Sequence, residues 1–420
     1  MLVIYPQGTT LSLQKAHWIQ ILHSACALAR QPNVRVLLIP RTVSPATLET
    51  LPKQIGEVLP SSLTIAPLVE YSAYKKRRIK GNLLSEHQRF LTRLYGRKRF
   101  TQILAEHTIP SEPVILFTRD EEIPEQCARS LAPLQPLMIN ELHKLEYVNR
   151  LQGKIDQNKA KPLALKKYRE FARREKKKEF QRLNLFHGVV STTDNMSELL
   201  RRSGFQKPLC TIPNGTLLPE TVSTTEALTR VRDLDVLYVG QLYRWKNVDL
   251  LLQALSHLPM RKLTVVGGKP GTDDWERLQR FANELGVANR VEFLGHQPHG
   301  LISEFMMRAK VGVVPLPQMG FPEARLFCSP LKAIEMMAAG TPIVASDLHS
   351  LRGLLSTGEN ALLVKPDDAE ALAKGIEELS SNTILYETLI TGALKTAYEL
   401  SYSERAKRIL QFAAEVGAHS

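Results

Sequence analysis

The chain has 420 residues, of which 43% are apolar and 23% charged, a globular composition with room for two domains of roughly 200 residues each. No apolar run approaches the roughly 18 residues that span a membrane, and the start of the chain lacks the basic leader of a signal peptide. Four scattered cysteines without Cys-x-x-Cys spacing argue against a disulfide framework or a zinc site. We therefore expect a cytoplasmic protein.

The formal net charge of +13 is concentrated in the first half, where basic runs cover residues 75–78, 97–99 and 166–182. Such a half is compatible with an anionic membrane surface, an acidic substrate or nucleic acid. A solvated helix face is the alternative for the last run, because its lysines and arginines alternate with glutamates. We rank peripheral attachment at the inner face of a membrane first, keep the solvated face open, and expect no nucleic-acid partner.

Strand-like runs alternate with helical stretches in the first half, which indicates a parallel sheet covered by helices. A helix beginning near Ser12 is expected to turn Leu13, Trp18, Ile21 and Leu28 inward. Long basic helices are predicted over residues 83–107 and 161–185. Strands are predicted over residues 2–5, 34–39, 114–117, 137–140, 189–191 and 209–212.

A turn signal at residues 212–215 and a polar linker over 216–228 precede a second alternation of the same kind. The predicted domains are 1–215, 216–400 and a last helix, 401–420, that packs back on the first domain. Strands are predicted over residues 236–239, 263–266, 291–294, 311–314, 341–344 and 361–364. Helices are predicted over residues 248–258, 275–285, 301–308, 331–339, 369–379, 384–400 and 403–416.

Ligands of open α/β sheets bind outside the carboxyl ends of the strands, and this rule selects the informative loops of the second half. Gly240 and Lys246 follow its first predicted strand, Gly268 follows the second and Gly295 the third. Small residues let a ligand approach the backbone. Together with the helix that begins near Pro330, these loops predict a phosphate-binding pocket.

That helix has clear start and stop signals. Ser329 suits the N-cap, Pro330 the first helical position, and Gly340 the end. Free amides at a helix N-terminus bind phosphate, and a carboxylate such as Glu335 can accept hydrogen bonds from sugar hydroxyls. Alternatively, Lys332 and Glu335 form an ordinary i,i+3 surface pair that contributes about 0.3 kcal/mol.

Other signals are weaker. Asp233 and Asp235 have a spacing that suits a divalent metal, but they precede their strand and so lie at the wrong sheet edge; we predict no metal site. The glycines of residues 267–271 match neither the dinucleotide fingerprint nor the P-loop. In the first domain, two strand ends carry the polar side chains Arg119, Glu141 and His143.

These motifs resemble family 4 retaining glycosyltransferases of the GT-B fold. The resemblance rests on Ser329-Pro-x-Lys-x-x-Glu335, on the run over residues 336–345, on residues 212–215 and 239–252, and on the loops at Gly267 and Gly295. It implies two Rossmann-like, doubly wound domains that face each other across a cleft, with a C-terminal helix crossing back to the N-terminal domain. It also implies that the N-terminal domain binds the acceptor.

The resemblance also assigns roles to individual residues. Lys246 matches a lysine that contacts the donor diphosphate, Glu335 matches a glutamate that holds the ribose, and His143 is similar to a histidine near the reacting centre. These three are the predicted catalytic residues, and Arg119 and Glu141 are acceptor or cleft candidates. The predicted donor-binding residues are Gly240, Gln241, Lys246, Gly268, Gly295, His296, Ser329, Pro330, Leu331, Lys332 and Glu335.

Two positions depart from the family pattern. Gln241 stands where an arginine usually accompanies Lys246, and Phe327 stands where the first glutamate of the signature falls. We hypothesise that Lys332 or Arg325 supplies the missing positive charge.

The predicted function is metal-independent, retaining transfer of a sugar from a nucleoside diphosphate sugar to a hydroxyl of a glycan, a lipid-linked or a small-molecule acceptor. No cofactor is expected, since the nucleotide sugar is a substrate. One alternative is a sugar-nucleotide epimerase or hydrolase on the same fold. The other is a nonenzymatic basic module that binds membrane or nucleic acid.

Overall fold

The computed structural model describes residues 1–13, 16–69, 86–151, 164–218, 223–318, 327 and 329–418. The chain forms two compact units. The first comprises Met1–Thr192, Ser197–Ile212 and Arg405–Ser420, and the second comprises Thr193–Met196 and Pro213–Glu404. The basic run 75–78 and Arg325 lie outside the described residues, and the domain boundaries read from the sequence stay predictions.

The first unit contains a seven-stranded parallel sheet in the order β3-β2-β1-β4-β5-β6-β7. The strands are β1 Leu2–Thr10, β2 Arg35–Thr42, β3 Leu63–Ile65, β4 Val114–Thr118, β5 Leu137–Leu142, β6 Gly188–Ser191 and β7 Leu209–Thr211. The helices of this half of the chain are α1 Ala16–Ala29, α2 Pro45–Ile55, α3 Glu86–His107, α4 Ile123–Gln126, α5 Ala128–Leu131, α6 Ala164–Leu183 and α7 Asp194–Arg202.

Burial on both faces of this sheet explains its sequence. Ile4, Leu38 and Leu116 are fully buried. Trp18, Ile21 and Leu28 are fully buried on α1, which confirms this part of the predicted helix face, whereas Leu13 precedes α1 and is half-buried. The sequence prediction missed β3, which has only three residues and pairs with the edge of β2. So short an edge strand carries too few residues to show an alternation.

The second unit contains a six-stranded parallel sheet in the order β10-β9-β8-β11-β12-β13. Its strands are β8 Leu234–Val239, β9 Leu263–Val266, β10 Val291–Gly295, β11 Ala309–Val314, β12 Ile343–Ser346 and β13 Leu362–Val364. The helices of this half are α8 Thr224–Thr229, α9 Val248–Ser256, α10 Asp273–Glu284, α11 His299–Arg308, α12 Leu331–Ala338, α13 His349–Arg352, α14 Ala369–Ser381, α15 Thr383–Glu399 and α16 Tyr402–Ala418.

The predicted polar linker over 216–228 is wrong in its second half. Helix α8 lies there, and it begins with a capping box in which Ser223 and Glu226 each accept a hydrogen bond from the other's backbone amide. Ala227 of this helix is buried. A Ser-x-x-Glu signal therefore marked a helix start that the polar composition obscured.

The last helix returns to the first unit, as predicted. Residues from Arg405 onwards belong to that unit. The side chains of Phe412 and Val416 pack against Gly188 of β6, where an added Cβ would lie 2.9 Å from the Phe412 ring. The helix thus requires glycine at this point of the sheet.

Candidate functional site

Three loops at the carboxyl edge of the second sheet touch through their backbones. The Gly240 amide donates to the carbonyl of Val266 at 2.9 Å, and the Gly267 amide donates to that of Gly295 at 2.7 Å. A Cβ on Gly267, whose φ is +125°, would lie 2.0 Å from the Gly240 carbonyl oxygen. Glycine is therefore required for these loops to approach each other.

The other residues of this edge that were predicted to bind the nucleotide sugar lie in the same loops. Gly268 has φ +74° and lies against Leu242, and Gly295 has φ +67°. The Tyr238 hydroxyl donates to the Gln241 carbonyl at 2.7 Å, so the Gln241 backbone is held while its side chain is exposed. The side chain of His296 is exposed as well.

Lys246 ends a short helical turn after β8, and its Nζ lies 3.9 Å from the centroid of the Trp245 ring. A cation over an indole face is held electrostatically, so the ammonium is oriented before any ligand arrives. Asn247 follows in the left-handed conformation and donates to Asp367 Oδ1 at 3.2 Å. Asp367 Oδ2 accepts the Gln318 amide at 3.0 Å, which joins two loops of this edge. No sequence signal pointed to Asp367.

Helix α12 begins at Leu331, the start of the predicted range 331–339, and one residue after the first helical position that the cap signals assigned to Pro330. Pro330 is the N-cap, and neither it nor Ser329 provides a side-chain cap, so the predicted Ser329 cap is wrong. The Pro330 carbonyl accepts from the amides of Ala333 and Ile334, and the first amides of a helix have no partner within it. Those amides begin at Leu331, at the predicted site.

Lys332 and Glu335 form an ion pair, with Nζ 2.5 Å from Oε2. Both are half-buried, at 32% and 22% side-chain exposure. The pair has the geometry of an ordinary i,i+3 surface pair. It also lies near the N-terminus of α12, where residues that contact the nucleotide sugar would have to lie. Phe327 is buried, so it lies in the core rather than at a ligand surface.

A cavity of about 640 Å³ lies in the first unit, at the ends of β1, β4 and β5 and beside α6. Arg119, Glu141 and His143 all line it, so the structure brings these three predicted residues together. Gln7, Gln20 and Glu121 line the same cavity and were not predicted.

Glu141 is fully buried, and three side chains donate hydrogen bonds to it. Its carboxylate accepts from the Tyr5 hydroxyl at 3.0 Å, from Arg119 Nε at 2.7 Å and from Arg405 of α16. Burial alone raises the pKa of Glu141, but the two guanidiniums outweigh it and hold that pKa well below its usual value. Its geometry is that of a positioning residue.

His143 lies beside this cluster, with Nε2 3.4 Å from Glu141 Oε1. Burial, helped by the Arg119 charge, lowers the pKa of His143 to about 4. The imidazole is therefore neutral at neutral pH and can both donate and accept a hydrogen bond. Burial, with Glu179 nearby, raises the pKa of Glu121 to about 8.

Asp233 and Asp235 form ion pairs with Arg308 and Lys310, at the opposite edge of the second sheet from the glycine loops. Over the described ranges, no group of three or more His, Cys, Asp or Glu side chains is placed to hold a metal. Within those same ranges, no helix combines the length and apolarity needed to cross a bilayer.

Residues 225–396 match the model of the family Glycosyl transferases group 1. Among curated proteins, the D-inositol 3-phosphate glycosyltransferase of Thermomonospora curvata is 31% identical over 186 residues, 42% of this chain and 41% of that protein. The D-inositol 3-phosphate glycosyltransferase of Xylanimonas cellulosilytica is 29% identical over 54% of this chain and 56% of its own length. The chain spans less than half the length of the curated relatives it matches first.

Solved structures match along the whole chain. Sucrose-phosphate synthase from Thermosynechococcus elongatus superposes with a TM-score of 0.69 at 20% identity over 100% of both chains. Anabaena HepE, in complex with UDP-glucose, superposes with a TM-score of 0.63 at 16% identity over 99% of this chain and 100% of its own. These likenesses confirm the predicted α/β fold of the GT-B class.

Proposed function

We propose that this chain is a retaining glycosyltransferase that transfers a sugar from a nucleoside diphosphate sugar to an acceptor hydroxyl. The observation that carries the proposal is the meeting of the Gly240, Gly267 and Gly295 loops, in a group 1 domain, at the sheet edge from which α12 also starts. Glycines leave room for a diphosphate to approach this edge, and the first amides of α12 have no partner within the helix and suit its negative charge.

Lys246 and the first amides of α12 stabilise the departing diphosphate in this proposal. Negative charge grows on the leaving group as the glycosidic bond breaks, so fixed donors stabilise the transition state more than the ground state. The cation–π contact with Trp245 orients the ammonium in advance. Glu335 accepts hydrogen bonds from the ribose hydroxyls.

The acceptor binds in the first-unit cavity in this proposal. His143 and Arg119 line that cavity, and the neutral imidazole of His143 can hydrogen-bond a sugar hydroxyl. The acceptor hydroxyl attacks from the side of the leaving group, which retains the anomeric configuration without a covalent intermediate on the protein. Neither step uses a metal ion.

Incubation of the chain with uridine, guanosine and adenosine diphosphate sugars, with and without acceptors, tests the proposal. UDP sugars are the first choice, since two of the similar structures contain UDP and UDP-glucose. Product that appears only with acceptor present supports a transferase. Epimerised or hydrolysed sugar at the same rate without acceptor would instead identify the epimerase or hydrolase alternative.

Helix α6 supports peripheral attachment to an anionic membrane. It exposes an excess of positive charge, and each cation near such a surface contributes about 1 kcal/mol. The exposed cations are Lys167, Arg169, Arg173, Arg174, Lys177 and Lys178. Reversing the charge of Lys177 and Arg174 tests this: retained sedimentation with vesicles containing phosphatidylserine would dismiss α6 as the attachment surface.

A further inference from the structure

The first-unit cavity differs in charge from the chain as a whole. Seven carboxylates and five lysine or arginine side chains line it, although the complete chain carries a net charge of +13. A ligand that enters this cavity therefore meets a wall whose carboxyl groups outnumber its cations, although the protein is basic. Bulk charge and local charge favour opposite classes of ligand here.

Every cation of the cavity wall is already in an ion pair with a carboxylate of the same wall. An incoming phosphate would therefore have to compete with a carboxylate for each of these cations. The pairs are Arg119 with Glu141 at 2.7 Å, Lys144 with Glu146 at 2.5 Å, Arg150 with Glu175 at 2.5 Å, Lys178 with Glu175 at 2.9 Å and Arg182 with Glu122 at 3.1 Å.

The remaining groups of the wall are suited to hydroxyls. Gln7 and Gln20 are 6% and 7% exposed, and their amide nitrogens have no hydrogen-bond partner among the described residues. The Gln20 oxygen accepts from Arg119 Nη1 at 3.4 Å, which orients its nitrogen as a remaining donor. Glu121 lines the same wall, and its carboxyl group can accept hydrogen bonds. Donors and acceptors side by side match a hydroxyl, which is both.

We propose that this cavity takes a neutral polyhydroxy acceptor, such as an unphosphorylated sugar or cyclitol, and that Glu121 hydrogen-bonds its hydroxyls. The inference rests on the proposed function, because it concerns the acceptor of the same reaction. The inferred acceptor class differs from the inositol phosphate for which the curated relatives are named.

Burial raises the pKa of Glu121 to about 8, which agrees with this assignment. A protonated carboxyl donates one hydrogen bond and accepts others, so it can pair with a hydroxyl in either direction. Loss of that proton would add another negative charge to the cavity and disfavour an anionic ligand further.

Matched pairs of probes test the inference on the full chain: glucose against glucose 6-phosphate, and myo-inositol against inositol 1-phosphate. Binding is measured by saturation-transfer NMR, and transfer is measured with the active nucleotide sugar. We expect the neutral member to bind and react, and the phosphorylated member to be weaker by about tenfold or more. Equal or stronger use of the phosphorylated members, or use of no neutral member, would overturn the inference.

Two variants test whether Glu121 contributes to the preference for the neutral acceptor. Glu121→Ala should raise KM for the neutral acceptor with little change in KM for the donor. Glu121→Lys should narrow the preference for the neutral member, because it replaces a carboxyl group of the wall with a cation. Glu170→Ala, an exposed change on α6 outside the cavity, is the matched control and should change neither constant. Unchanged acceptor KM in both Glu121 variants would remove Glu121 from the site.

Thermal stabilisation by UDP separates failure of this inference from failure of the proposed function. Stabilisation by UDP together with a preference for phosphorylated acceptors contradicts only the acceptor class. Absence of stabilisation by any nucleoside diphosphate contradicts the proposed donor site itself.

Discussion

Glu121 and His143 share one cavity, and burial moves both pKa values towards the uncharged form. The pKa of Glu121 rises from 4.5 to about 8, and the pKa of His143 falls from 6.5 to about 4. Removing water from a group disfavours its charged form, whichever sign that charge has. Near neutral pH, the cavity therefore presents a protonated carboxyl and a neutral imidazole.

This pair of shifts predicts opposite contributions to stability at the two ends of the pH range. The folded state holds a proton on Glu121 that the unfolded state loses above pH 4.5, so this contribution disappears as pH rises through about 8. For His143, the unfolded state binds the extra proton below pH 6.5, so stability falls as pH falls towards about 4.

Glu121→Gln should therefore be more stable than the unchanged protein at about pH 9, with the difference narrowing towards about pH 5. Urea unfolding followed by circular dichroism across this range measures the effect. Glu170→Gln on the exposed face of α6 is the control, and its difference from the unchanged protein should not vary with pH. A constant difference for both variants would contradict the raised pKa of Glu121.

Lys246→Ala should lower kcat by about 10²- to 10³-fold, because it removes one charge from the transition state of the leaving diphosphate. Steady-state kinetics with the active nucleotide sugar measure the loss, and circular dichroism checks the fold. Lys374→Ala, at an exposed lysine of α14, should leave kcat unchanged. Normal turnover of the Lys246 variant would remove this lysine from the mechanism.

Substitutions of Glu335 and Lys332 distinguish an ordinary surface ion pair from residues that contact the nucleotide sugar. If Glu335 holds the ribose, Glu335→Ala should raise KM for the nucleotide sugar about tenfold, the order of one lost hydrogen bond to a charged group. Lys332→Ala alone should cost little stability, since i,i+3 pairs contribute about 0.3 kcal/mol. Equal, small changes in KM from both variants would identify the pair as structural only.

At the scale of elements, α16 is attached to the first sheet by the Arg405–Glu141 ion pair. Both side chains are buried, and Arg119 and Tyr5 complete the partners of the carboxylate. Removing one member of a buried pair leaves an uncompensated charge, which costs more than the pair itself contributes.

Arg405→Met should therefore lower the free energy of unfolding by about 3–5 kcal/mol. Denaturant unfolding of the full chain measures the change. Arg408→Ala on the same helix removes an exposed bond to the Thr211 carbonyl and should cost about 0.5 kcal/mol or less. A loss no larger than that of the Arg408 variant would show that the ion pair is not a main attachment of α16.

The elements themselves were largely visible in the sequence, since buried parallel strands are continuous apolar runs and the helices between them have a 3.6-residue period. The misses have local causes. Strand β3 has three residues with the polar Thr64 at its centre, and α8 is hidden in a polar stretch. Ser329 is not the N-cap of α12, because Pro330 occupies the N-cap position and makes no side-chain hydrogen bond there.

The two parts of the candidate site were not equally predictable. The donor loops follow from one rule, that ligands bind at the carboxyl ends of parallel strands, and their glycines stand directly after those strands. The first-unit cavity depends on contacts between distant residues. Arg405 and Glu141 are 264 positions apart, and no local pattern marks Gln7, Gln20 or Glu121 as its wall.

At the scale of the whole molecule, the proposal assigns one ligand to each unit, which predicts separate footprints. UDP should slow amide hydrogen exchange at residues 240–246, 267–268, 295–296 and 329–335, all in the second unit. At 100 times its Kd it should also stabilise that unit by about 2.7 kcal/mol. Neutral acceptor should protect residues 119–121 and 141–143 instead. Protection by UDP confined to the first unit would contradict the assignment.

The attachment of α16 has a consequence for synthesis on the ribosome. Glu141 emerges early, but Arg405, its buried partner, is translated 264 residues later. A nascent chain that stops before residue 405 leaves the buried Glu141 carboxylate with only one of its two guanidinium partners. Its first sheet also lacks the cover that Phe412 and Val416 provide at Gly188. The first unit therefore completes its folding only after the second unit has been translated, which is the opposite order to the usual N-terminal-first sequence.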